Sequence, residues 1–105
     1  MSLPVIARPA AEADIQETYD YLEERRAGLG EQFVARLRDV FESIESRPEA
    51  PPIVWQDVRA VRVHKFQYVV YYVLFADRVE IMAVIHGARH ASTWQSRVDD
   101  EPDDE

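Results

Sequence analysis

The apolar residues in the first half of the chain recur at helical spacing. After a short predicted strand from Leu3 to Arg8, Pro9 stands where proline favours the start of a helix. Gly28-Leu-Gly30 then separates two apolar stripes, because glycine readily adopts the left-handed conformation that ends a helix. The first stripe consists of Ala11, Ile15, Tyr19 and Leu22, and the second of Phe33, Leu37, Val40, Phe41 and Ile44. The pattern predicts two amphipathic helices that form an antiparallel hairpin.

Pro48-Glu-Ala-Pro-Pro52 ends the helical pattern, and the residues after it alternate as strands do. The segment 59–65 is alternating, whereas 68–75 is apolar on both faces and is predicted to be the central strand. After a tight turn at 76–78, a third strand follows, in which the residues on one face alternate with those on the other. One face carries Val79, Ile81, Ala83 and Ile85, and the other carries Glu80, Met82, Val84 and His86.

This order predicts an α+β fold, in which a strand and a helical hairpin precede a three-stranded antiparallel meander. The hairpin should pack on one face of the sheet, because each apolar stripe needs a cover. The opposite face would carry Met82, Val84 and part of the 68–75 segment. We therefore expect an exposed apolar patch there, of the kind that marks a partner site, and an amphipathic segment of the partner laid across it.

The length of 105 residues favours one domain, predicted over residues 1–98, with 99–105 as a disordered acidic tail. There is no cysteine, which excludes disulfides and thiolate chemistry. Residues 1–6 lack the basic start of a signal peptide, and the longest apolar run is too short to span a bilayer. We therefore expect a cytoplasmic protein without a membrane partner.

The net charge of −8 is unevenly distributed along the chain. Residues 1–52 carry 6 basic and 11 acidic side chains, residues 53–98 carry 6 and 3, and residues 99–105 carry six acidic ones. The overall negative charge argues against generic nucleic-acid binding, since the summed field would repel a polyanion. It leaves room for a local basic patch in the C-terminal half of the domain.

Several short motifs occur in a characteristic order. They are Ala13-Asp-Ile-Gln-Glu17 with Tyr19-Asp-Tyr-Leu22, Gly28-Leu-Gly-Glu-Gln-Phe33, Arg47-Pro48, Val63-His-Lys-Phe-Gln-Tyr-Val-Val-Tyr-Tyr72, and His86-Gly-Ala-Arg89 with Trp94. Together, over residues 4–97, the chain resembles the toxins of the RelE/ParE superfamily, and within it the ParE-like branch. The resemblance implies the toxin of a type II toxin–antitoxin system, with a cognate antitoxin as its partner and plasmid stabilisation as one expected role.

The two branches of the superfamily imply different targets. A ParE-like toxin inhibits DNA gyrase by binding it, whereas a RelE-like toxin cleaves mRNA in the ribosomal A site. RNA cleavage needs a base, an acid and a cation near the phosphate. In this chain the resemblance places Val69 where a second arginine is usual, and Trp94 where a tyrosine transfers a proton. This favours the gyrase-binding reading and a protein that is not an enzyme.

Two alternatives remain open from the sequence. The first is a ribosome-dependent mRNA endonuclease that uses Arg62, His64 and Arg89. The second is a non-toxic module that retains only its contact with the antitoxin. Candidate residues for binding a target or an antitoxin are Arg62, Lys65, Tyr71, Met82, His86, Arg89 and Trp94.

Some of these residues also have a purely structural interpretation. Arg89 could pair at the surface with Glu80 or with an acidic helix residue, and Trp94 is more often the cap of a core edge than a ligand contact. His86 and His90 are four residues apart, but Gly87 interrupts any helix between them. We therefore predict no metal site and no cofactor.

Overall fold

The computed structural model describes residues 2–98, and within them the helices and strands follow the predicted order. The elements are β1 (Val5–Ala7), α1 (Pro9–Arg25), α2 (Leu29–Ser46), β2 (Ile53–Trp55), β3 (Val58–Arg62), β4 (Tyr68–Leu74), β5 (Val79–His86) and α3 (Ser92–Gln95). The predicted acidic tail at 99–105 lies outside the described residues.

The strands form one five-stranded sheet in the order β1-β5-β4-β3-β2. The strands β3, β4 and β5 are antiparallel neighbours, which confirms the predicted meander and the central place of β4. The first strand is parallel to β5 and pairs with it only over 79–81. The edge strand β2 is not predicted by the sequence pattern, because three residues are too few to show a period.

Both helices of the hairpin pack on the same side of the sheet, which is called the helix face below. Phe33 of α2 is fully buried, and its ring meets Phe66 and Tyr68 edge-on, with 5.3 Å between ring centroids in each pair. Gly28, the residue immediately before α2, has a φ of 90°, a conformation that glycine adopts at little cost. The predicted hairpin and its packing on one face are therefore confirmed.

The predicted alternation of the last strand is wrong from Ala83 onward, whereas Met82 faces away from the helices as predicted. Tyr72 pairs with Ile81 but Tyr71 pairs with Ala83, so Met82 forms a β-bulge. The extra residue exchanges the faces of the residues that follow it. Val84 joins the core on the helix face, and Ala83 and Ile85 turn to the opposite face.

The exposed apolar patch predicted for that opposite face is also wrong. The segment around α3 folds back over it, and Trp94 is only 6% exposed. Trp94 stacks on Tyr71 with 4.3 Å between the ring centroids and meets Trp55 edge-on at 5.9 Å. Met82 lies beneath this cover at 0% exposure, so it is a core residue and not the surface contact that the sequence predicts. The opposite face is called the Trp94 face below.

A buried ion pair satisfies the backbone groups at the bulge. The Asp14 carboxylate accepts hydrogen bonds from the Val84 backbone N–H at 3.0 Å and from the Arg97 guanidinium at 2.7 and 3.2 Å. Arg97 also donates to the Met82 carbonyl at 3.1 Å. The pair thus links α1, the outer edge of β5 and the C-terminal segment.

A second ion pair lies where β1 and β5 meet. Arg8 Nε donates to Glu80 at 2.8 Å, and Arg78 Nε donates to the other oxygen of Glu80 at 2.6 Å. Burial alone would raise the pKa of Glu80, but the hydrogen bonds from Arg78 and Arg8 outweigh it and hold that pKa below its usual range.

Among residues 2–98, no helix is long and apolar enough to cross a bilayer.

We predict that Asp14→Ala lowers the free energy of unfolding by about 3 kcal/mol, because it leaves the Arg97 charge and the Val84 N–H without their partner. Asp20→Ala is the matched control, since Asp20 lies on the exposed side of α1 and bonds only the Gln16 side chain. It should change stability by less than about 0.5 kcal/mol. Urea titration of both variants measures the difference, and equal midpoints would contradict this role of Asp14.

A dependence on pH follows from Glu80. Because its folded-state pKa lies below the ordinary value of 4.5, its contribution is fully present above that value. The contribution is lost as the pH falls through the lowered folded-state pKa. Glu80→Gln should therefore flatten the fall in unfolding free energy in this acidic range, whereas the exposed Glu24→Gln should not. Parallel acid slopes in the two variants would show that Glu80 is not the group responsible.

Candidate functional site

A cleft of about 350 Å³ opens between α1 and the end of β5. It is called the α1–β5 cleft, and it lies beyond the point where β1 stops pairing with β5. Its lining residues on α1 are Asp14, Glu17, Thr18 and Tyr21, and those from the sheet and the following loop are Tyr68, Val84, Ile85, His86 and Arg89. Two residues singled out from the sequence, His86 and Arg89, therefore lie in one cavity.

His86 is exposed at the sheet end of this cleft. Its ring meets that of Tyr68 edge-on, with 5.4 Å between the centroids. The imidazole Nδ1 accepts a hydrogen bond from the Ala88 backbone N–H at 3.0 Å, which leaves Nε2 to carry the proton of the neutral ring. The loop after β5 thus fixes the ring and directs its second nitrogen away from the backbone.

The cleft combines opposite charges with an exposed aromatic ring. Glu17 on α1 and Arg89 after β5 both line it, while Asp14 is already occupied by Arg97 and Val84. Arg89 forms no ion pair within residues 2–98. The structural interpretation that pairs Arg89 with Glu80 is wrong, because Glu80 holds Arg8 and Arg78 instead. Arg89 therefore remains available to an external group.

Tyr21 and Glu17 line the cleft but are not among the candidates that the sequence predicts, and Tyr21 is the more exposed aromatic contact. It lies on α1 beside the apolar stripe, and it is 51% exposed although it is a large aromatic residue. The Arg25 guanidinium lies 5.5 Å from its ring centroid and donates to its hydroxyl at 2.8 Å. A tyrosine on the polar side of a helix was the available signal, since exposed tyrosine and arginine are enriched where proteins bind each other.

The residues proposed for RNA cleavage are not brought together. Arg62 is exposed at the end of β3 and pairs with Val69, which in turn pairs with Ile85 of the Trp94 face. Cross-strand partners share a face, so Arg62 belongs to the Trp94 face, whereas Arg89 lines the α1–β5 cleft. His64 is exposed in the turn between β3 and β4. The set Arg62, His64 and Arg89 thus has no common cavity among those described.

The remaining predicted contacts lie elsewhere. Tyr71 is half-buried against Trp94, and burial raises the pKa of its hydroxyl despite the opposing effect of its hydrogen bond to Trp94. Lys65 is exposed and lines a separate cavity beside α2. Within residues 2–98, there is no cluster of three histidine, cysteine or acidic side chains that could hold a metal ion.

Comparison with known proteins points to one family. Residues 5–91 match the family model described as the ParE toxin of the type II toxin–antitoxin system parDE. No curated protein matches the chain in sequence. The fold is similar to a solved structure of the chromosomal ParDE system from P. aeruginosa, with a TM-score of 0.61 and 13% identity over 81% of this chain and 96% of that one. It is also similar to the YoeB dimer from Staphylococcus aureus, with a TM-score of 0.56 and 14% identity over 82% of this chain and 98% of that one.

Proposed function

Because the chain belongs to the ParE family of toxins from type II toxin–antitoxin systems, we propose that it arrests bacterial growth by binding DNA gyrase. In this proposal a cognate antitoxin neutralises it, and both partners meet it in the cytoplasm. The activity is one of protein binding and needs no cofactor. The observation that carries the proposal is the α1–β5 cleft, which is lined by an exposed tyrosine and by an arginine that has no ion pair within residues 2–98.

The composition of the cleft supports a protein partner. Tyr21 offers a large and rigid apolar surface with a polar tip, and Arg89 offers a planar donor for a carboxylate. Tyrosine and arginine are the residues most often found to dominate binding energy in interfaces. Glu17 adds an acceptor on the opposite wall, so that the cleft is complementary to a segment carrying both charges.

Other observations weigh against RNA cleavage by the residues that the sequence analysis named. Trp94 cannot transfer a proton, and its indole is buried in the Trp94 face at 6% exposure. Arg62 belongs to the Trp94 face whereas Arg89 lines the α1–β5 cleft, so the two side chains share none of the described cavities. The protein also carries a net charge of −8, which opposes the approach of a polyanion such as the ribosome or its mRNA.

A second candidate function rests on a specific observation in the cleft. Tyr68, His86 and Arg89 line it together, and they could supply an acid, a base and a cation. A ribosome-dependent mRNA endonuclease would use these residues in place of Arg62 and His64. RNA cleavage therefore has to be measured together with gyrase inhibition.

We predict that the purified protein blocks supercoiling of relaxed plasmid by gyrase and leaves mRNA intact in a translating extract. In a bacterial host, induced expression should stop growth and alter plasmid topology, and co-expression of the neighbouring gene should restore both. Full supercoiling at high protein concentration, together with mRNA cut in the A site, would replace this proposal by the nuclease. Normal growth with retained binding to the neighbour's product would indicate the non-toxic module.

We further predict that Tyr21→Ala and Arg89→Ala each weaken gyrase inhibition about tenfold or more, as expected when a central interface residue is truncated. Both side chains are exposed, so the melting temperature should stay within a few degrees of the wild type. Ile53→Ala is the matched control, because Ile53 is 53% exposed on the edge strand β2, away from the cleft. An equal loss in all three variants would remove the cleft from the proposal.

A further inference from the structure

A second cavity gathers three cations at the other end of the helical hairpin. It has a volume of about 480 Å³, larger than that of the α1–β5 cleft. Arg26 comes from the end of α1, Arg36 from α2 and Lys65 from the turn between β3 and β4, and all three line it. This cavity is called the basic pocket below. None of its three cations forms an ion pair within the part of the chain that the structure describes.

The backbone at Lys65 is held in an unfavourable conformation. The Phe66 N–H donates to the Val63 carbonyl at 3.0 Å, which defines a β-turn with His64 and Lys65 at its centre. Lys65 has a φ of 71°, as the third residue of a type II turn requires. Glycine is the usual residue there, because a side chain in this region is strained. The turn therefore keeps a lysine where glycine would fold more easily.

Strain of this kind is characteristic of functional positions, where a side chain is needed in a fixed direction. The conformation of the turn presents Lys65 to the basic pocket beside Phe66. Phe66 itself is anchored in the core by its edge-on contact with Phe33. The lysine is thus carried on a well-supported turn, although its charge has no ion-pair partner among residues 2–98.

We propose that the basic pocket binds a small phosphorylated ligand of the nucleotide class. The three cations and the single acid of the pocket, Asp39, leave a local charge of about +2. This is opposite in sign and similar in magnitude to the charge of a phosphate monoester near neutral pH. Guanidinium groups suit phosphate because their planar donors bind two oxygens at once. This proposal goes beyond the toxin function and does not depend on gyrase or an antitoxin.

The other walls of the pocket fit the body of such a ligand. Leu29, Ala35 and Phe66 supply apolar surface, and Gln32 supplies both a donor and an acceptor. The volume exceeds what a phosphate group alone would fill, so a base or a comparable flat group has room. A long nucleic acid fits less well, because the whole molecule is strongly acidic and would repel it.

The experiment is an NMR titration of the full chain with adenosine 5′-monophosphate, inorganic phosphate, adenosine, succinate and a short single-stranded oligonucleotide. We expect the nucleotide and phosphate to shift the amide resonances of Gln32 and Phe66, with the nucleotide binding more tightly. Adenosine and succinate should leave them unchanged at the same concentration. The oligonucleotide should bind more weakly than the nucleotide.

The variants separate binding from folding. Lys65→Gly should weaken nucleotide binding at least about tenfold, or about 1.4 kcal/mol, while the melting temperature stays the same or rises because the strained residue is gone. Arg36→Ala should weaken binding to a similar degree. Arg38→Ala is the matched control, because Arg38 lies on the same helix but lines a different cavity. It removes the same charge and should bind as the wild type does.

Several results would overturn the proposal. If Lys65→Gly keeps its nucleotide affinity, the basic pocket is not the binding site. If Arg38→Ala loses as much affinity as Arg36→Ala, the binding reflects only the overall charge of the protein. Succinate binding as well as phosphate would indicate a site for acidic protein segments, and tighter binding of the oligonucleotide would indicate a nucleic-acid surface. A lower melting temperature of Lys65→Gly would show that the lysine serves the fold.

Discussion

The fold depends on the ion pair between Asp14 and Arg97 at the bulge in β5. The bulge leaves the Val84 N–H and the Met82 carbonyl directed to the outer edge of the sheet, where β1 no longer pairs. A buried backbone group without a partner is costly, and the two side chains satisfy both groups. The same pair attaches the C-terminal segment to α1 across 83 residues of sequence. Trp94 is thereby held over the second face of the sheet, and both faces are buried.

The sequence predicts the parts of this fold that follow from periodicity. Two apolar stripes at helical spacing and a glycine turn are sufficient to predict the hairpin. Residues 68–75 are identified as the central strand because both faces of this segment are apolar. The bulge is not predictable in this way, because nearly every residue from Val79 to Ile85 is apolar. The strand would bury apolar side chains on both faces with or without the bulge. The cover provided by Trp94 depends on the bulge and on a charge pair between distant residues. Asp14 and Arg97 each look like ordinary surface residues in the sequence.

The candidate site is predicted only in part, for a similar reason. His86 and Arg89 are identified from the motif His86-Gly-Ala-Arg89 at the end of the last strand, and Arg89 also because it follows that strand end, where loops carry functional groups. Arg62 and His64 are chosen by residue type, but neither lines the cleft that holds Arg89. Tyr21 and Glu17 complete the cleft, but they come from a helix more than sixty residues away. They reach the cleft only because α1 packs along β5, and a contact between such distant segments is not visible in the local sequence pattern.

The fold is similar to that of a ParDE structure and of a YoeB structure at 13–14% identity, and a shared fold does not by itself determine a target.

The Asp14–Arg97 pair has a consequence for folding during synthesis. The strand β5, Trp94 and Arg97 come late in the chain, yet they hold α1 and complete both cores. During synthesis the N-terminal hairpin emerges first, with its apolar stripe still lacking most of its sheet. It follows that a chain still on the ribosome lacks the residues that complete its cores, and that a prematurely terminated product exposes apolar surface and is a substrate for proteolysis.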